Sequence, residues 1–142
     1  MRLGSRLVLA MVAGTFVWAP VTQVEAHHST AEFNYAKTVT IKGKIKEVQW
    51  TNPHSYVQVM VPKQGGGNDQ WGIEIGAPAI NVKMGWRKDS VKAGDDVVLT
   101  IAPARNGTNY GTLRVLTFRD GRTLNGVAAS VKADANGYAV FN

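Results

Sequence analysis

The stretch Thr38-Val39-Thr40-Ile41-Lys42-Gly43-Lys44-Ile45-Lys46-Glu47-Val48-Gln49-Trp50 decides the fold. Val39, Ile41, Gly43 and Ile45 share one parity, whereas Val48 and Trp50 share the other. Side chains alternate across a strand, so a parity switch inside one strand requires an extra residue. A β-bulge is therefore expected near Lys46-Glu47, with Gly43 easing a bend. A long, bent first strand that serves two sheets is what a five-stranded OB barrel needs.

The residues that follow extend this reading. His54 to Val61 alternates, with Val57, Val59 and Val61 on one face and Tyr56 on the other. Gly65-Gly66-Gly67-Asn68-Asp69 marks a flexible turn, and Trp71, Ile73 and Ile75 alternate with Gly72, Glu74 and Gly76 in a third strand. Pro78 to Lys88 carries Ile80, Val82 and Met84 at spacings compatible with a short helix that Gly85 and Trp86 would end. Val97, Leu99 and Ile101 share one face of a fourth strand, and Asn106-Gly107 signals a hairpin into a fifth strand, Leu113 to Phe118. The order β-β-β-α-β-β predicts an all-β, OB-fold-like, partly open five-stranded barrel over residues 38–124. A lipocalin-like or sandwich fold needs more strands than this chain readily provides. Residues 125–142 are expected to form a weakly ordered tail with a closing strand.

The N-terminal segment reads as an export signal. Arg2 and Arg6 precede an apolar run from Leu7 to Ala19, and Val24-Glu25-Ala26 forms a small-residue cleavage site. The run is shorter than the about 20 apolar residues that span a bilayer. Residues 1–26 are therefore expected to be removed, leaving no integral membrane segment and a periplasmic protein. With no cysteine, the chain has no lipoprotein anchor, disulfide or thiolate chemistry. Of 16 basic and 10 acidic side chains, Arg2, Arg6 and Glu25 leave with the signal, so the remainder keeps a positive balance. Its positive charges are scattered, and export argues against a nucleic-acid partner. Lys42, Lys44 and Lys46 read as the wet face of a strand or as protection of a sheet edge.

The series His27-His28-Ser29, Phe33, Val39-Thr40-Ile41-Lys42-Gly43, Trp50-Thr51-Asn52-Pro53-His54, Trp71-Gly72-Ile73-Glu74, Gly85-Trp86 and Gly94-Asp95 resembles a bacterial family of small exported proteins of unknown function. The likeness spans roughly residues 26–124. It implies an exported OB-like barrel and lends no established activity. Ala102 stands where a glycine of a Gly-x-Pro turn is expected, and the tail after Leu124 lies beyond the family's usual end.

Cleavage after Ala26 would make His27 the first residue, uniting a free α-amine and an imidazole on one residue. Its amine and Nδ1 can close a chelate ring on one metal ion, and a further imidazole would complete a planar three-nitrogen set that suits copper(II). The arrangement resembles the histidine brace of copper proteins. The chain has three histidines, so His54 is the natural third ligand and His28 an auxiliary one. Pairing the second and third strands about the glycine turn places Val57 opposite Glu74 and His54 near Ala77, making Glu74 an outer ligand or the carboxylate that orients His54. The arm of residues 27–37, with Phe33 and Tyr35 as anchors, must then double back along the barrel. The competing readings are an adventitious His-His pair and a His54 that only fixes the turn after Asn52-Pro53.

The alternative function is an adaptor that binds a periplasmic protein or a glycan through the barrel face around Trp50, Tyr56 and Glu74. Asn52, Trp71 and Trp86 complete the candidate ligand-binding set, although tryptophans are more often core or rim residues. Enzyme readings find little support. Ser55 follows His54 directly, where strand side chains diverge, and no Gly-x-Ser-x-Gly elbow is present. Glu47 and Glu74 are not placed as an acid/base pair. Gly65-Gly66-Gly67 precedes a strand rather than a helix and is not a phosphate loop. Low-specificity oxidation at an open copper site is the weakest of the three ideas.

Overall fold

The computed structural model describes residues 30–140, so His27, His28 and the signal lie outside the described residues. Five strands form the barrel: β1 (Val39–Gln49), β2 (Ser55–Pro62), β3 (Asn68–Gly76), β4 (Asp96–Pro103) and β5 (Tyr110–Phe118). They lie in the order β3-β2-β1-β4-β5, and a parallel pairing of β3 with β5 joins the two ends. That seam consists of Gly72 opposite Tyr110, Ile73 opposite Gly111 and Glu74 opposite Thr112. The result is an all-β, OB-like ring, closed through this short seam.

The inward parity builds the core. Ile41, Ile45, Val57, Val59, Ile73, Ile75, Val97, Leu99, Ile101, Leu113 and Leu116 are all buried in one cluster, capped by Trp86. Burial of each such aliphatic side chain contributes about 1.5–3 kcal/mol, which is the main force holding the barrel. The expected bulge in β1 is present: its register with β2 shifts between Ile45 and Glu47. Upstream, β1 pairs with β4 from Val39 opposite Ile101 to Lys44 opposite Asp96. Beyond the shift it is held only by β2. One strand thus serves both halves of the barrel, as its length implied.

Two other irregularities re-aim side chains. Between β2 and β3, Ser55 faces Gly76 but Tyr56 faces Glu74, so Ile75 is the extra residue. The expected pairing of Val57 with Glu74 is corrected to Ile73, and Tyr56 takes the place opposite Glu74. Between β4 and β5, Thr100 faces Val115 but Ile101 faces Leu113, which leaves Arg114 as the extra residue. Ala102 and Pro103 continue β4 opposite Thr112 and Gly111, so no turn occurs there. Gly111 permits this approach, since a Cβ would fall 2.8 Å from the Ala102 carbonyl oxygen.

The helix is shorter than its apolar spacing suggested. It is α1 (Pro78–Lys83), followed by Gly85 at φ 91°. Ile80 and Val82 are exposed, and the buried residue is Asn81, whose Nδ2 donates to the Gly76 carbonyl at 2.9 Å. A polar tie to the end of β3, rather than an apolar stripe, seats this helix. Among the described residues no helix is long and apolar enough to cross a membrane.

Short elements follow β5. β6 (Thr123–Asn125) extends the sheet beside β5, a 3-10 turn follows at Val127–Ala129, and β7 (Lys132–Ala133) pairs with β8 (Ala139–Val140). Together with the arm this segment encloses a second, smaller apolar cluster of Phe33, Tyr35, Ala102 and Ala128. The arm is fixed by backbone bonds: Asn34 N–H donates to Pro103, Tyr35 N–H to Gly137, and Arg105 N–H to Glu32.

Candidate functional site

The outward parity of β2 and β3 carries His54, Tyr56 and Glu74, at the end of the barrel where the loop Thr51–His54 joins β1 to β2. Asn52-Pro53 is a cis peptide, and the loop is held by Thr51 Oγ1 donating to the His54 carbonyl at 3.0 Å. Ser55 points inward and is fully buried, its hydroxyl donating to the Thr51 carbonyl at 3.3 Å. This arrangement fixes the backbone from which His54 projects outward.

His54 Nδ1 lies 3.3 Å from Glu74 Oε1, and the Tyr110 hydroxyl donates to Glu74 Oε2 at 3.1 Å. Both carboxylate oxygens are therefore engaged, while the His54 side chain keeps 27% of its surface in solvent. Glu74 itself is only 5% exposed. Burial raises its carboxyl above the ordinary value, opposed by His54 and the Tyr110 hydrogen bond and reinforced by the Glu32 carboxylate. Burial also raises the Tyr110 phenol, with Glu74 and then Tyr56 adding to it. Burial pushes the Tyr35 phenol up to about 12, Glu74 adding and Arg114 opposing.

The arm provides the cover. Phe33 bridges to Ala104 and sets its ring 5.5 Å from that of Tyr110. Tyr110 in turn lies 6.4 Å from the ring of Tyr56. The arm was expected to have to run back along β1 to approach His54. Ring closure makes this unnecessary: the β3–β5 seam already brings the start of β5, and the arm lying over it, beside Glu74.

The remaining candidates are dispersed. Trp50 and Trp71 are half-buried against the main core. Trp86 is 1% exposed and its indole N–H donates to the Asn125 carbonyl at 2.7 Å, so it is a core residue out of reach of a surface ligand. Asn52 is exposed in the loop beside His54. Glu47 is also exposed and accepts a hydrogen bond from Gln49. Among the described residues no group of three His, Cys, Asp or Glu side chains could hold a metal; His54 and Glu74 are a pair. Tyr110 was not anticipated. The available signal was the run Ala102-Pro103-Ala104 opposite Tyr110-Gly111-Thr112, where Ala102, Ala104 and Gly111 are small enough to leave room for a covering layer.

No curated protein and no solved structure matches this chain. The family match starts ahead of the described residues and stops at Arg114, so β6 and the tail fall outside it. The chain belongs to the family of unknown function DUF6152, which matches residues 16–114.

Proposed function

We propose that this is an exported, non-enzymatic binding protein whose site is centred on His54, and that the site holds copper(II) together with the amine and imidazole of His27. The observation that supports this reading most is the contact between His54 Nδ1 and the buried Glu74 carboxylate. Metal-ligating histidines characteristically give their other ring nitrogen to a carboxylate, which fixes the tautomer and the ring. With Nδ1 so engaged, the neutral ring keeps the Nε2 lone pair for a ligand. Thr30 stands three positions after His27, a reach of at most about 10 Å. The described part of the arm packs on Tyr110, the residue that holds Glu74. In this assignment Glu74 orients His54 and is not itself a ligand, and His28 is auxiliary.

The test is a copper titration of protein beginning at His27, read by electron paramagnetic resonance. One extra residue ahead of His27 removes the terminal chelate, and His54→Ala removes the third nitrogen; each should weaken binding strongly. Equal affinity in all three proteins overturns the reading. The adaptor reading rests on Tyr56, half-buried beside Tyr110 and open to a stacking ligand. In that case His27→Ala is silent and Tyr56→Ala abolishes partner or glycan binding.

A further inference from the structure

The outer face of β2, β1, β4 and β5 carries a groove of about 670 Å³ that shares no residue with the His54 site. Its volume lies within the range of small-molecule pockets, roughly 300–1,000 Å³. Met60 and Val98 interrupt the polar face of the sheet within it, and Pro62 and Phe118 extend the apolar surface. Around them stand Lys42, Lys44, Lys46 and Arg119, against one carboxylate, Asp96.

Of the lysine row, only Lys44 stands where β1 pairs with both β2 and β4; Lys42 pairs with β4 alone and Lys46 is the bulge residue. Residues two apart on a strand stand roughly 7 Å apart, so three ammonium groups on one face repel one another. Lys44 alone has an acidic partner, Asp96 at 2.8 Å. Lys46 donates to the neutral amide of Gln70, and Lys42 has no hydrogen-bond or ion-pair partner among the described residues. Four cations against one carboxylate, beside apolar Met60, Pro62 and Val98, complement a molecule with one anionic end and one hydrocarbon body.

We propose that this groove binds a fatty carboxylate, its head group at the unpaired Lys42 and its chain along Met60 and Val98. Isothermal titration with hexanoate, octanoate and decanoate, below their micellar concentrations, tests it. Each methylene that is fully buried should tighten binding about fourfold, and 1-decanol should bind at least tenfold more weakly than decanoate. The charge-reversed double variant Lys42→Glu, Lys46→Glu alters two exposed side chains, so the barrel should keep its circular dichroism while decanoate affinity falls at least tenfold. Amide shifts induced by decanoate should centre on Lys42, Met60, Val98 and Thr117. Affinity independent of chain length, equal binding of the alcohol, unchanged affinity in the charge-reversed protein, or shifts centred elsewhere overturns the proposal.

Discussion

The Arg114 guanidinium donates from Nη2 to the Tyr35 carbonyl at 2.6 Å, joining the bulge of β5 to the N-terminal arm across 79 residues of sequence. From Nη1 it also donates to the Ala128 carbonyl at 2.9 Å. One planar fork therefore ties arm, barrel and C-terminal segment together. Lysine, with a single compact head, cannot span both acceptors in the same way. Arg114→Ala should cost about 2–3 kcal/mol, because two charge-assisted bonds to carbonyls are lost. Arg114→Lys should recover only part of it. Urea unfolding measures the loss. Hydrogen exchange at the Tyr35 amide, which donates to Gly137, should accelerate more than exchange in the middle of β2. Uniform acceleration would mean that Arg114 does not hold the arm specifically.

Gly43 marks a close approach of β1 to β2. A Cβ there would overlap the Met60 carbonyl oxygen and meet Val59 Cγ1 at 2.8 Å, so the backbones of β1 and β2 approach too closely for any side chain. Gly43→Ala should destabilise the barrel by about 1–3 kcal/mol, the usual range for forced overpacking. Gly85→Ala is a useful comparison, because its surroundings are open and its left-handed φ is the main source of cost. A denaturation midpoint for Gly43→Ala equal to that of the parent would show that β1 and β2 move apart without penalty.

The barrel was readable because its core obeys period-two alternation: Val57 with Val59, Ile73 with Ile75, Leu99 with Ile101. The bulge after Ile45 was readable for the same reason, since it breaks that alternation within a single strand. The extra residues Ile75 and Arg114 were not readable, because Ile75 keeps the alternation begun by Ile73 and Arg114 stands between apolar Leu113 and Val115, so neither slip leaves a conflict in the pattern. The helix misled because Ile80 and Val82 imitate an amphipathic stripe, whereas the packing is decided by the hydrogen bond of Asn81 to Gly76. At the site, the proximity of His54 to Glu74 followed from hairpin register. Tyr110 and the covering arm required the parallel seam between β3 and β5, a long-range pairing that no local pattern encodes.

Tyr35 should make the protein sensitive to alkali. Its phenol is pushed up to about 12 in the fold, against about 10 in an unfolded chain. As pH rises past the unfolded value, the unfolded chain loses the proton first, so stability falls between about pH 10 and pH 12. Tyr35→Phe has no proton to lose and should show a shallower decline over that window. Absorbance titration of the tyrosinates should likewise lose its component near pH 12 in the variant. An unchanged late component in Tyr35→Phe would assign the buried phenol elsewhere.

Glu74 sets the opposite end of the pH scale. Its carboxyl is raised by burial, so the folded protein holds this proton more tightly than the unfolded chain does. Below the ordinary carboxylate range both states are protonated and the group has no effect on stability. As pH rises through and above that range the unfolded chain ionises first, and stability falls until the folded carboxyl has also ionised. Glu74→Gln keeps an acceptor for the Tyr110 hydroxyl and cannot ionise. The difference in unfolding free energy between variant and parent should therefore shift in the variant's favour from about pH 4 upward, then level off. Urea midpoints taken at intervals from pH 4 to pH 8 measure it. A difference that moves the other way would mean that the contact with His54 outweighs the burial of the carboxylate.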